Sequence, residues 1–248
     1  DWLSSRGLGD VYKRQIVVDA GDFVTMNQQS LKDSLVAEAY GLMPYDAILY
    51  GDQELVLDAR TLNRMRGQLG ATLVGTNVDR SDFFQSKIIR RKGIRIAVMG
   101  IVDPYAIKFY PDEIQNRIRL NDPVKSVKNE MKKLKNKADI FVLLTHQGYD
   151  LDVQFAKKVD GLDLIVGSHS QTAIEQPKEI NNTLIVQSGK AGHYVGLVKI
   201  KMKKGKIVEK SGRLDTMKFE LPDDPRIIDM IEEYEKKTKP QTNYNYNE

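Results

Sequence analysis

Ile140-Phe141-Val142-Leu143-Leu144-Thr145-His146-Gln147-Gly148 is followed, across an amphipathic stretch over Asp150–Val159, by Leu162-Asp163-Leu164-Ile165-Val166-Gly167-Ser168-His169-Ser170-Gln171. Both apolar runs are short, continuous and rich in Ile, Val and Leu, which suits strands buried on two faces. Each runs directly into a polar loop with a glycine where the backbone can turn or approach a ligand closely. Strand, helix, strand in this order is one unit of an α/β sheet, and the loops at strand carboxyl ends are where an open α/β sheet places its ligands.

The same alternation extends outward in both directions. Strands are expected at Ile16–Asp19, Ala47–Tyr50, Thr72–Thr76 and Thr183–Gln187. Two hairpins are expected, one joining Lys87–Arg90 to Arg95–Ile101 and one joining Val195–Met202 to Ile207–Thr216, each turning at a Lys- and Gly-containing loop. Helices are expected at Ser30–Gly41, Leu55–Leu69, Pro123–Lys137 and Asp223–Lys237. At 248 residues the chain can bury a full core, and no apolar run is long enough to span a membrane.

The ends read differently from the middle. Residues 1–15 show neither strand alternation nor a helical stripe, lack the features of a signal peptide and resemble translated sequencing-adapter sequence, so they are expected to be a non-native leader. Residues 16–238 form the expected domain, and 239–248 a polar tail.

Net charge is +4, a small excess over a mixed surface. The most basic stretch, Lys125–Lys137, carries Val124, Val127, Met131 and Leu134 at helical spacing, so its lysines read as a solvated face and no nucleic-acid partner is expected. The absence of cysteine excludes disulfides, thiolate metal sites and cysteine nucleophiles. Any metal must therefore be held by nitrogen or oxygen ligands.

Four strand-end loops carry the polar chemistry: Asp19-Ala20-Gly21-Asp22, Gly51-Asp52-Gln53-Glu54, Thr145-His146-Gln147-Gly148 and Gly167-Ser168-His169-Ser170-Gln171. Converging imidazoles and carboxylates would leave charge and lone pairs unpaired without an ion, which points to a metal-dependent hydrolase. Asp19 and Glu54 are the candidates to orient the ligands from behind, because a ligating imidazole usually passes its other N–H to a carboxylate or carbonyl. His193 reads as a surface or supporting residue. Asp103-Pro104-Tyr105, after the Arg95–Ile101 strand, reads as a turn at the same mouth.

In their order these blocks resemble the calcineurin-like metallophosphoesterases, and among them the 5′-nucleotidase and UDP-sugar hydrolase branch. That branch shows D-x-H, then G-D, G-N-H-E, T-H-x-G and finally G-H-x-H or G-H-x-Q. The matching residues are Gly21-Asp22, Gly51 and Glu54, Thr145-His146-Gln147-Gly148, and His169-Ser170-Gln171, over roughly residues 16–216. The resemblance implies a four-layer αββα sandwich whose first strand is missing here. It implies two divalent ions, zinc, manganese or similar, hydrolysing a phosphate monoester or nucleotide by in-line attack of a metal-bound hydroxide.

Asp22 would bridge the two ions, Asp52, His146 and His169 would complete the second position, and Gln171 would serve the first. An extracytoplasmic location and a separate carboxyl-terminal substrate domain, absent here, are implied by the same resemblance. Two departures stand out. The D-x-H block is absent, so this chain is expected to hold one ion and to show little activity. Gln53 occupies the position of the family's catalytic histidine, and the alternative to a phosphomonoesterase is a non-catalytic binding domain of the same family.

Overall fold

The computed structural model describes residues 13–25 and 29–238. The expected leader falls almost wholly, and the expected polar tail wholly, outside these residues, as does any strand preceding residue 13.

Three parallel two-residue strands, β1 (Val18–Asp19), β2 (Ala47–Ile48) and β3 (Thr72–Leu73), form a small sheet in that order. A larger sheet contains β4 (Lys87–Arg91), β5 (Ile94–Val102), β6 (Ile140–His146), β7 (Leu164–Gly167), β8 (Lys178–Ile180) and β9 (Thr183–Val186), ordered β4-β5-β6-β7-β9-β8. Its centre is parallel, and the β4–β5 and β8–β9 hairpins supply antiparallel edges. The remaining pair, β10 (Tyr194–Lys203) and β11 (Lys206–Thr216), is an antiparallel ribbon.

Side chains of the large sheet alternate between two cores, as a period of two requires. Val142, Leu144, Leu164 and Leu184 join Ile48, Leu49 and Leu73 in the core between the sheets. Leu143, Ile165, Ile185, Met99 and Ile101 face the opposite way and pack on α5 (Pro123–Leu134) and α6 (Tyr149–Lys158) through Val127, Phe155 and Ala156. Outside the small sheet lie α1 (Ser30–Gly41) and α3 (Ala59–Leu69), the latter burying Leu62, Met65 and Leu69. Helices, sheet, sheet and helices make the four expected layers.

Differences from the sequence reading have local causes. The helix expected over Leu55–Leu69 is two: a single turn α2 (Asp52–Leu55), then α3. Asp58 separates them, because its carboxylate accepts the Arg60 and Thr61 N–H groups and starts a new helix. The segment between β5 and α5, read as loop, contains a 3-10 turn at Ala106–Phe109 and the one-turn helix α4 (Asp112–Gln115). The short edge strand β8 has no apolar run to announce it. The closing helix α7 (Pro225–Thr238) buries no residue.

Candidate metal centre

The first two loops are fastened to each other before any ligand is considered. After β1, Gly21 and Asp22 both take left-handed backbone conformations, with φ of 91° and 66°. A non-glycine residue there is a strained choice of the kind found at functional sites. The Asp19 carboxylate accepts the Gly21 N–H at 2.8 Å and shapes this turn. Gly21 lies so close to Gly51 that a Cβ on it would stand 2.3 Å from the Gly51 nitrogen, which requires glycine at this crossing.

Glu54 holds the two loops together. Its Oε2 accepts N–H groups from Asp22 at 2.9 Å and Gly51 at 2.8 Å, and its Oε1 accepts the Val24 N–H at 3.0 Å. The residue is fully buried, and burial together with the nearby Asp22 charge raises its carboxyl to about 7 against the pull of these N–H groups.

His146, the last residue of β6, is fully buried. Its Nδ1 lies 2.9 Å from the Ala20 carbonyl oxygen, an acceptor, so Nδ1 carries a proton. Nε2 then points at Asp52 Oδ1 (3.0 Å), Asp22 Oδ2 (3.2 Å) and His169 Nδ1 (3.2 Å). His169 follows β7 with φ of 74°, its side chain 41% exposed, and its Nδ1 is 3.3 Å from Asp52 Oδ1. One ligand atom from each of Asp22, Asp52, His146 and His169 lies within 4.8 Å of all the others.

These separations suit a divalent ion. Ligands about 2.1 Å from a metal stand roughly 3.0 Å apart in an octahedron and 3.4 Å apart in a tetrahedron. The electrostatics agree: with Nδ1 engaged, a neutral His146 would aim a lone pair at two carboxylates and another ring nitrogen. Burial works to lower the His146 pKa, but its bonds to Asp22 and Asp52 outweigh this and push it up to about 10. Burial likewise opposes ionisation of Asp52, and bonds from His146, His169 and Tyr110 hold that carboxyl well below the usual range. The cluster demands positive charge at its centre, which a divalent ion satisfies.

The other residues singled out from sequence are placed as follows. Gln53 donates its side-chain Nε2–H to Asp22 Oδ2 (2.9 Å) and its backbone N–H to Asp22 Oδ1 (3.2 Å), fixing that carboxylate from one side. Gln171 is exposed, at φ 55°, on the loop that carries His169. Asp19 and Glu54 make contacts other than the expected one to an imidazole. Glu54 accepts backbone N–H groups, Asp19 accepts from Gly21 and the Tyr40 hydroxyl, and the backbone carbonyl of Ala20 takes the imidazole proton. His193 is exposed.

Two further residues escaped the sequence reading. Tyr110 donates its hydroxyl to Asp52 Oδ2 at 2.7 Å, from the segment that leaves β5 beside His146, where the Asp103 N–H donates to the His146 carbonyl. Asp152, fully buried on α6, accepts from the Gln147 side chain at 2.8 Å and so braces the His146 loop from behind. Burial raises its carboxyl to about 7, opposed by the Gln147 bond.

No family model matches the chain. It is 34% identical over 110 residues to an uncharacterized metallophosphoesterase, YunD, of Bacillus subtilis, covering 44% of this chain and 23% of that protein. It is 25% identical to a 5′-nucleotidase of Bos taurus, covering 86% of this chain and 42% of that one. Among solved structures, the 5′-nucleotidase precursor of Thermus thermophilus superposes with a TM-score of 0.78 at 24% identity, over 92% of this chain and 51% of that one. The chain spans less than half the length of the curated relatives it matches.

Proposed function

We propose that this chain, which belongs to the calcineurin-like metallophosphoesterases and within them to the 5′-nucleotidase branch, is the metal-binding domain of a hydrolase of phosphate monoesters, with nucleotides as the substrate class. The observation that carries the reading is the environment of His146 Nε2, which faces two carboxylates and a second imidazole while Nδ1 is held by a carbonyl. A divalent ion held by Asp22, Asp52, His146 and His169 would supply Lewis-acid polarisation of a phosphoryl oxygen and activation of the attacking water.

The chain's own residues prepare that position. Glu54 fixes the Asp22 and Asp52 loops in one relative setting, Ala20 fixes the ring and tautomer of His146, and Gln53 turns Asp22 Oδ2 toward the centre. A neutral amide at position 53 cannot protonate a leaving alkoxide, and general acid–base assistance is worth ~10²–10⁴ in rate. The reading therefore includes slow turnover. Gln171 together with the shared Asp22 would contribute to a second ion. An extracytoplasmic location, carried by resemblance, completes the proposal.

The test is hydrolysis of p-nitrophenyl phosphate by this protein with manganese, measured for the native protein and for Gln53→His. Metal-dependent turnover that rises by about 10-fold or more in Gln53→His supports the reading. No turnover in either protein sinks it.

A further inference from the structure

The carboxylate of Asp52 has two oxygens with different partners. Oδ1 faces the centre, 3.0 Å from His146 Nε2 and 3.3 Å from His169 Nδ1. Oδ2 accepts the hydroxyl of Tyr110 at 2.7 Å, across 58 residues of sequence. The Asp52 side chain is 12% exposed, so little water is at hand to replace that donor. From this division of the two oxygens we propose that Tyr110 is a positioning residue for the metal centre: its phenol occupies Oδ2 and leaves Oδ1 as the single oxygen that Asp52 offers an ion.

Two features favour a positioning role over an incidental surface contact. First, Tyr110 is itself held. Its backbone carbonyl accepts the Gln115 side-chain amide at 2.7 Å, its N–H donates to the Ile107 carbonyl at 3.1 Å, and Pro111 follows with its φ restricted. The phenol thus reaches Asp52 from a braced backbone. Second, the pairing is chemically specific to a carboxylate. A carboxylate brings a second acceptor oxygen that needs a donor, and a phenol supplies one. An amide at position 52 would present its own N–H groups in that direction and leave the phenol to act only as an acceptor. A phenol keeps its proton at neutral pH, so Tyr110 is a donor there.

Without the hydroxyl, Asp52 is free to rotate, to offer both oxygens to an ion or to turn Oδ1 away. Partners behind a ligand typically contribute 10–100-fold to metal affinity. The proposal rests on the metal-centre reading and goes one step beyond it, because it assigns a role to a residue outside the ligand set.

The experiment is calorimetric titration of the full chain with manganese chloride, without substrate, for the native chain, Tyr110→Phe, Asp52→Asn and the double variant, with thermal melting of each metal-free protein as a check on folding. Tyr110→Phe removes one oxygen atom and is expected to weaken manganese binding by about 10-fold with its melting profile preserved. In the Asp52→Asn background the same change should alter affinity by less than about 3-fold, since the carboxylate oxygen it serves is gone. Equal affinity of the native chain and Tyr110→Phe would overturn the positioning role while leaving the metal centre standing. An undiminished 10-fold loss in the Asp52→Asn background would overturn it too, by showing that Tyr110 acts through some other group. Failure of the native chain to bind manganese would remove the metal-centre reading, and this proposal with it.

Discussion

The two carboxylates and the two imidazoles of the centre come from unlike surroundings. Asp22 and Asp52 follow strands of two residues each in a three-stranded sheet, whereas His146 ends and His169 follows the central strands of a six-stranded sheet whose longest strand has nine residues. Parallel ladders on both sides hold β6 in place. The small sheet has few ladder bonds, and the loops above it are held by Glu54. A long sheet fixes its loops through backbone pairing, while a short one needs a buried side chain to do the same work.

The largest expected effect tests that contrast directly. Glu54→Ala leaves the N–H groups of Asp22, Val24 and Gly51 without their acceptor, and each such loss costs about 1–3 kcal/mol when the group stays dry. A stability loss of about 4 kcal/mol is expected in urea denaturation, together with loss of metal binding. A variant that melts like the native chain would mean that the short strands suffice by themselves and that the contrast is wrong.

The helix α6 behind the larger sheet carries a costly buried carboxyl, and pH reveals it. Asp152 titrates near 3.8 when unfolded and at about 7 when folded. Between those values the folded chain binds more protons than the unfolded one, so its contribution to stability is complete below 3.8 and is lost as pH rises to about 7. The loss is on the order of 4 kcal/mol. Asp152→Asn should remove that share of the slope, measured by denaturation of the metal-free chain at pH 4.5 and 7.5. An identical pH dependence in native and variant proteins would place the titrating group elsewhere.

Gly51 is where the two halves touch. A Cβ there would stand 2.2 Å from Asp22 Oδ1 and 2.6 Å from His146 Cε1, while its own backbone, with φ of −80°, accepts any residue. Gly51→Ala should therefore force Asp22 and the buried His146 ring aside and weaken manganese binding by about 100-fold. A smaller effect on binding than on melting temperature would show that the halves are coupled through the core instead of through the centre.

What could be read from the sequence follows the same division. The strands of the larger sheet announce themselves because burial on both faces makes them continuous apolar runs, and the residues that end them, His146 and His169, stand out for that reason. The break between α2 and α3 does not, because Leu55, Leu62, Met65 and Leu69 stand at helical spacing until the Asp58 carboxylate is seen accepting N–H groups. Glu54 and Asp19 look like partners for an imidazole because they sit beside ligands. Only the approach of the two loops shows that their oxygens are taken by backbone N–H groups and that a carbonyl serves the histidine. Tyr110 reaches Asp52 across 58 residues from a segment without periodicity, and no local pattern encodes that meeting.

The smallest expected effect compares an arginine–aspartate pair in each region. Arg95 and Asp139 join neighbouring strands at the base of the larger sheet, 2.7 Å apart and each about a third exposed. Arg91 and Asp46 are 2.6 Å apart, and this pair links the edge strand β4 to the approach to β2. Asp46 also accepts the Val17 N–H at 3.1 Å, and Arg91 donates to the Gln15 carbonyl at 2.7 Å, so the second pair also holds the segment leading into β1. Exposed pairs are worth about 0.2–1 kcal/mol, and Asp139→Asn should fall within that range because β5 and β6 remain paired along their length. Asp46→Asn should cost about 1 kcal/mol more, since β1 has only two residues with which to hold its place. Hydrogen exchange at the amides of Val18 and Asp19 gives a second readout: exchange should accelerate in Asp46→Asn and stay unchanged in Asp139→Asn. Equal costs and equal exchange in the two variants would mean that the short sheet is as firmly set by its own ladder as the long one.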